Sequence, residues 1–342
     1  MNIVDISTIE ITNELKLNFI ELYQSYFREI LGEDYETFKK NNSDLLKWLD
    51  SFNEKDFVHK KYLILTEDES IDGFFAFRIE KQNEDRFQVI PQDSYISIHK
   101  RRMGMGTKCW NAMINYCKDT IKQEFEVIVS TGLVGTREFF ATLGLTYLQQ
   151  RVDQKFLLKE LNIEKLQSQN DEFQNITDFS LLKFQNCPEE IIEQFCILYK
   201  KIKSFAASTN YLGEYELTPE LRRNYEKQYG IDSGNDWRTI VIKNSGDELI
   251  GLTEVYVVNN GTIAFQELTG ILPQYRRKGL ARWIKNQMLI DIKQVYPDLQ
   301  EIFTRNYIGN TNSGEAVLAM NQSIGYNPIK YDYQYKTRYI ID

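Results

Sequence analysis

The feature that most constrains this chain is a strand, a basic turn with small residues and an amphipathic helix in immediate succession, present twice. The fuller copy runs from Thr262 to Val295. Thr262 to Ile271 reads as an apolar strand, and Pro273-Gln274-Tyr275-Arg276-Arg277-Lys278-Gly279-Leu280-Ala281 as the turn. Leu280, Trp283, Ile284, Met288, Ile292 and Val295 then fall on one face at helical spacing. The first amides of a helix have no helical acceptor, and small residues at Gly279 and Ala281 let a ligand approach them, which suits an anion such as a pyrophosphate. Arg276, Arg277 and Lys278 add positive charge there, in a chain of net charge −8. The upstream copy is Arg101-Arg102-Met103-Gly104-Met105-Gly106, after a strand at Tyr95 to His99 and before a helix carrying Met105, Cys109, Ala112, Met113 and Tyr116. Arg101 and Arg276 stand 175 positions apart, and Gly144 and Gly325, which stop the matching later helices, 181 apart. Two landmarks in order at nearly one offset indicate an internal duplication.

A length of 342 residues accommodates two domains. In the first half the pattern predicts a helix at Glu14 to Leu31 with Asn13 as its N-cap. A hairpin at Lys61–Thr66 and Gly73–Glu80, a strand at Phe125–Ser130, a helix at Arg137–Leu143 and a closing strand at Lys155–Leu158 follow. The second half repeats the plan, with a helix at Glu189–Phe205 and strands at Arg238–Lys243, Leu249–Val258, Glu301–Arg305 and Tyr331–Ile340. A helix at Glu315–Ile324 precedes the last of these. Periodicity lapses between the halves, so the expected division is a domain at 1–160, a linker at 161–178 and a second domain at 179–342. No apolar run reaches the length of a membrane span and no secretion signal opens the chain. Cys109, Cys117, Cys187 and Cys196 have no metal-ligand spacing, and His59 and His99 are the only histidines. The expectation is a cytoplasmic protein without a metal, and the acidic balance argues against nucleic acid as a partner.

Nothing in the chain has the order of a Ser-His-Asp or Cys-His nucleophile site. The Asn260-Gly261 pair is a two-residue hairpin signal. Counting back from it places Glu254 opposite Glu267, both on one face of adjacent strands. Two carboxylates at that spacing repel, which raises the pKa of one and makes a candidate general base or amine-binding pair.

Taken together, Arg276-x-x-Gly279-x-Ala281 after a strand, Asn321 and Ile324-Gly325-Tyr326 resemble the GNAT superfamily of acetyl-CoA-dependent N-acetyltransferases. Arg101-x-x-Gly104-x-Gly106 with Leu143-Gly144-Leu145 is a second, weaker match. Gly251-Leu252-Thr253-Glu254, Thr269-Gly270-Ile271 and Thr304-Arg305-Asn306 are similar to the core motifs of one bacterial group of that superfamily. The resemblance implies an α/β (α+β) fold of two tandem GNAT-like domains, each a mixed, mostly antiparallel twisted sheet flanked by helices. It implies acetyl-CoA as co-substrate. The backbone at Thr269, Gly270 and Ile271 would meet the pantetheine arm, the amides from Arg276 to Ala281 the pyrophosphate, and one of Asn306, Asn310 and Asn312 the cofactor. The segment Lys203 to Leu217 falls where such proteins place substrate-contacting elements. The tyrosine acid common in the superfamily is absent, because its place is Phe140 in the first half and Asn321 in the second. The similar bacterial group carries an acid where Leu268 stands, one position beyond Glu267, and a bulge would reconcile the two. Two residues separate Ile98 from Arg101 where four separate Ile271 from Arg276, so the first turn reads as shortened and the first domain as degenerate.

The resulting expectation is an acyltransferase moving an acetyl group to a primary amine of a small molecule by direct transfer in a ternary complex, with the second domain catalytic. The alternatives are a non-catalytic acyl-CoA-binding or regulatory module and a protein N-acetyltransferase. Fold resemblance does not choose among them, because the acceptor is read by loops.

Overall fold

The computed structural model describes residues 2–32, 35–38, 41–46, 48–49, 57–68, 70–83, 86–132, 136–174, 178–205, 217–258, 261–309 and 312–340. The chain divides into two compact units, Met1–Leu148 with Asp332–Asp342, and Gln149–Tyr331.

In the first unit β1 (Asn2–Asp5), β2 (Phe57–Leu65), β3 (Ile71–Asn83), β4 (Arg86–Pro91) and β6 (Phe125–Thr131) lie side by side, and β5 (Tyr95–Ile96) pairs with β3. β4 and β6 run parallel from Phe87/Phe125 to Val89/Val127, and the other described pairings are antiparallel. Helix α1 (Asn13–Leu31) lays Phe19 and Tyr23 on Phe74 of one face. Helix α2 (Met105–Ile121) lays Met105, Met113 and Cys117 on the other, with α3 (Thr136–Thr142) beside it. The N-cap of α1 is Thr12, whose hydroxyl accepts from the Leu15 amide at 3.2 Å, in place of the expected Asn13.

In the second unit the strand order is β7 (Thr146–Leu157), β12 (Glu301–Ile308), β11 (Ile263–Ile271), β10 (Leu249–Val258), β9 (Asp236–Asn244) and β8 (Phe179–Phe184). Helix α7 (Leu280–Val295) covers one face, burying Ile284, Met288, Leu289 and Ile292 completely. Each such side chain contributes about 1.5–3 kcal/mol. Helices α5 (Ile192–Ser204) and α6 (Pro219–Tyr225) cover the opposite face through Phe195, Leu198, Ile202 and Leu221. Helix α8 (Asn312–Ile324) follows β12, and β13 (Asn327–Tyr339) ends the described chain.

Two features depart from the sequence expectation. The stretch assigned as a linker contains helix α4 (Ile163–Gln174), capped by Asn162, whose side chain accepts from the Lys165 amide at 2.8 Å. Leu166 and Phe173 of α4 pack on the core under α7, so its few apolar residues suffice for one narrow contact stripe. The domain boundary also falls elsewhere. Residues 150–157 of β7 pair antiparallel with β12, and Tyr333–Tyr339 of β13 pair with β6. The closing strand of each sequence half therefore belongs largely to the unit built from the other half.

Candidate functional site

In the second unit β11 and β12 are parallel neighbours from Ile263/Glu301 to Gln266/Thr304 and no further. Beyond that point β11 stays with β10, and Glu267 to Ile271 have an open edge on the β12 side. The notch is reinforced by a bulge. Val255 pairs with Gln266 and Thr253 with Thr269, so Glu267 and Leu268 together oppose Glu254. From Val255 to Val258 the register is the one counted back from Asn260-Gly261; residues 259 and 260 lie outside the described ones.

At the end of β11 a tight turn at Pro273–Tyr275 leads into Arg276 in extended conformation, Arg277 at φ +62° and Gly279 at φ +75°, from which α7 starts. No side chain caps that helix, so no side chain takes its first amides. Arg277 and Lys278 are exposed. Arg276 is turned back: its Nε donates to Ile271 O at 3.0 Å and its guanidinium lies 4.9 Å from the Phe205 ring centroid. It clamps the turn to the strand. One side of Gly279 is filled, because a Cβ there would lie 2.6 Å from the Phe173 ring, which stacks on Trp283. Gly270 allows α5 to sit on β11: a Cβ would lie 2.2 Å from Ile202 Cγ2. Thr269 Oγ1 lies 2.8 Å from Thr253 Oγ1. Asn306 follows Thr304, the last residue of β12 paired with β11, by two and donates to Gln154 Oε1 at 2.8 Å. Asn310 and the side chain of Asn312 lie outside the described residues. Of the Lys203–Leu217 segment, Lys203 closes on the site and residues 206–216 likewise lie outside.

The two glutamates differ in surroundings. Glu254 is fully buried, and its Oε1 accepts from Arg222 Nη1 at 2.7 Å and Thr239 Oγ1 at 3.0 Å. Arg222, 1 % exposed, also donates to Glu226 at 2.8 Å and is sandwiched by Phe195 and Trp237, each 4.7 Å away. Glu267 stands on the bulge with part of its surface open to solvent. Desolvation of its carboxyl, followed by the negative charge of Glu254, pushes its pKa up, against the pull of Lys203, Arg305 and a hydrogen bond from Tyr256. Burial and the charge of Glu267 push Tyr256 up to about 12. Arg222 was not singled out in sequence, since nothing local marks the one arginine of Arg222-Arg223 that turns inward.

The first unit corrects one expectation. Its turn is not shortened: the strand ends at Ile96, not near Ile98, and Ile98–Lys100 is the tight turn. Arg101 is extended, Arg102 has φ +62°, Gly104 φ +78°, and Arg101 Nε donates to Ile96 O at 2.9 Å. The backbone of the second turn is thus reproduced at an offset of 175. What the first unit lacks is the carboxylate pair. Gly73 faces Ile96 as Gly251 faces Ile271. Ala76 then stands where Glu254 does and Gln92 where Glu267 does, with the Gln92 amide donating to Ala76 O at 2.8 Å. Phe140 packs against Trp110 and Tyr335. All four cysteines are free and buried. Among the described residues no group of His, Cys, Asp and Glu is placed to hold a metal, and no helix is long and apolar enough to cross a membrane.

This arrangement is that of the tandem GNAT fold. The chain is similar in structure to a tandem GNAT protein from the clavulanic acid biosynthesis pathway, with TM-score 0.61, 15 % identity and 98 % of each chain covered. It is similar also to a GCN5-related N-acetyltransferase from Sphaerobacter thermophilus, with TM-score 0.63, 10 % identity and 94 % of this chain and 93 % of that one covered. A GCN5-related glucosamine N-acetyltransferase region in a fungal multi-domain GH3 β-N-acetylglucosaminidase matches with TM-score 0.62 and 12 % identity, over 98 % of this chain and 38 % of that one. No family model and no curated protein matches the sequence.

Proposed function

We propose that the chain is an acetyl-CoA-dependent N-acetyltransferase whose second unit moves an acetyl group to a primary amine of a small molecule by direct transfer in a ternary complex. The observation that carries this reading is Glu267, a carboxyl of raised pKa on a bulge at the point where β11 and β12 part. The residues around the notch fit acetyl-CoA. The uncapped start of α7 at Gly279 to Ala281 offers amides for the pyrophosphate, with Arg277 and Lys278 exposed beside it. The open edge of Thr269, Gly270 and Ile271 offers backbone groups to the pantetheine arm, and Asn306 lies two residues past the point where β11 and β12 part. Bound there, acetyl-CoA supplies the thioester carbonyl.

Glu267 and Tyr256 lie on the α5 face of the sheet, and Gln266, Thr304 and Asn306 on the α7 face, because side chains alternate along a strand. Acceptor and cofactor would then approach from opposite faces and meet at the notch, which supplies proximity without a covalent enzyme intermediate. Glu267 takes the proton of the attacking amine. Glu254, held by Arg222, keeps a negative charge behind it and sustains its basicity. Glu254 also favours a cationic amine in the crevice. In the first unit Ala76 and Gln92 stand at the places matching Glu254 and Glu267, so neither of those two places holds a carboxylate.

Titration calorimetry of acetyl-CoA into the wild type, Gly279→Trp and Gly104→Trp tests the cofactor assignment. Loss of a site with Gly279→Trp is expected, and unchanged affinity would overturn it. Thiol release from acetyl-CoA with a panel of primary amines tests the base. Glu267→Gln should bind acetyl-CoA normally and turn over about 10²–10⁴-fold more slowly. Binding by the wild type with no turnover on any amine would leave the non-catalytic module.

A further inference from the structure

The first residues beyond the last rung shared by β11 and β12 are Glu267 on one strand and Arg305 on the other. The strands are parallel and pair at Gln266/Thr304, so these two stand abreast where the strands part, about 5 Å being the usual strand spacing. Side-chain alternation puts both on the α5 face, away from the buried Gln266 and Thr304, and both are exposed. Each lies in the field of the other. On that face one lip of the notch is a carboxylate and the other a guanidinium.

Arg305 is held from one side. Its Nε donates to Asp153 Oδ1 at 2.8 Å and its Nη2 to Asp153 Oδ2 at 3.2 Å, a side-on pair between β12 and β7. That pair uses two of the five guanidinium N–H groups. Nη1 has no hydrogen-bond partner among the described residues, and the side chain is 53 % exposed. Asp153 is itself shared: Arg151 Nε lies 3.8 Å from it and Lys330 also acts on it, so three cations face one anion. Two residues back along the strands the same face is floored by rings. Phe265 stacks on Tyr256 at 5.1 Å and meets Phe303 at 5.8 Å.

We propose that the acceptor is an α-amino acid with an apolar side chain, its amine at Glu267, its carboxylate on the Nη1–Nη2 edge of Arg305 and its side chain over the rings. The inference deepens the proposed acetyl transfer and rests on it. A guanidinium fixed side-on by one carboxylate still presents an end-on fork to a second, and that bidentate contact orients the ligand. A plain monoamine meets Glu267 alone; an amino carboxylate meets both lips and the surplus positive charge. Arg305 exchanges no proton. The amine nitrogen bonds the carbonyl carbon, the carbon–sulfur pair leaves on sulfur, the amine proton goes to Glu267 and the carboxylate stays ionised.

The test measures thiol release from acetyl-CoA with leucine, phenylalanine and their carboxamides, on the full chain as wild type, Arg305→Gln and Arg305→Lys. The amides keep the amine and lack the carboxylate. Their amines are also less basic, a difference that cancels when the amino acid-to-amide ratio of kcat/KM is compared between proteins. The wild type should prefer the amino acids. In Arg305→Gln that preference should fall about 10–100-fold, carried by KM on the amino acids, and Arg305→Lys should recover part of it. A wild type that turns over the amides as well as the amino acids overturns the inference and leaves acetyl transfer standing, and this comparison needs no variant to fold. An Arg305→Gln protein with its preference intact and kcat lowered alike on both acceptors also overturns it, because Arg305 then acts only through the ionisation of Glu267. No thiol release with any amine removes acetyl transfer and this inference together.

Discussion

At the scale of residues, the site is decided by which carboxylate is tied to Arg222. Arg222 commits its guanidinium to Glu254 and Glu226 inside the sheet face, and Glu267 is left to the crevice. The raised pKa of Glu267 has a kinetic consequence. A base works only when deprotonated, so turnover should fall as pH drops through a value above the usual carboxylate range. That limb should vanish in Glu267→Gln, and a profile flat down to the ordinary glutamate range would deny the assignment. The Arg222 pair carries a stability prediction. Arg222→Met leaves Glu254 buried without its arginine, while Glu226 keeps Arg223, and should cost about 3–5 kcal/mol in denaturant unfolding at neutral pH. Adding Glu254→Gln should recover part of that loss, and no recovery would point to packing against Phe195 and Trp237 instead.

At the scale of elements, the notch depends on how closely α5 approaches β11. Gly270 is the point of contact, and the 2.2 Å from a built Cβ to Ile202 Cγ2 leaves no room for a methyl group. Gly270→Ala should lower the melting temperature and weaken acetyl-CoA binding. Adding Ile202→Ala should restore part of both losses, and strictly additive effects would show that the two positions do not meet. The basic turns make a related point. Two sequences, Arg101 to Gly104 and Arg276 to Gly279, take the same succession of extended, left-handed and left-handed glycine backbone, each clamped by its first arginine to the strand behind. The offset of 175 was legible in sequence. The apparent shortening of the first turn was not real, because periodicity cannot mark where a two-residue strand such as Tyr95–Ile96 gives way to a tight turn.

At the scale of the whole molecule, each unit is completed by a strand from the other sequence half. Truncation after Tyr331 removes one of the two strands paired with β6 and the Tyr335 contact in the core of the first unit. Hydrogen exchange should then show lost protection in β6 and α2, with β9 to β11 unchanged. Equal loss in both units would indicate that they unfold together. This exchange of strands is also why a linear division at 160 and 178 misplaces the boundary: a long-range pairing partner leaves no mark on the strand that will use it.

The sequence by itself determined the duplicated plan, the hairpin register that sets Glu254 against Glu267, and the turns that open α2 and α7. These rest on local chemistry: side-chain period, glycine at positive φ and turn geometry. Only the tertiary structure decided that Glu254 is ion-paired with Arg222, 32 residues away, and that Lys285 is sealed in and joined to Asn306 through Asn321 and Gln154. It also decided that the polar stretch at Ile163–Gln174 is a helix. Charge pairing and burial depend on what the fold brings together in space, and a single lysine or arginine on an amphipathic helix carries no sign of which way it will turn.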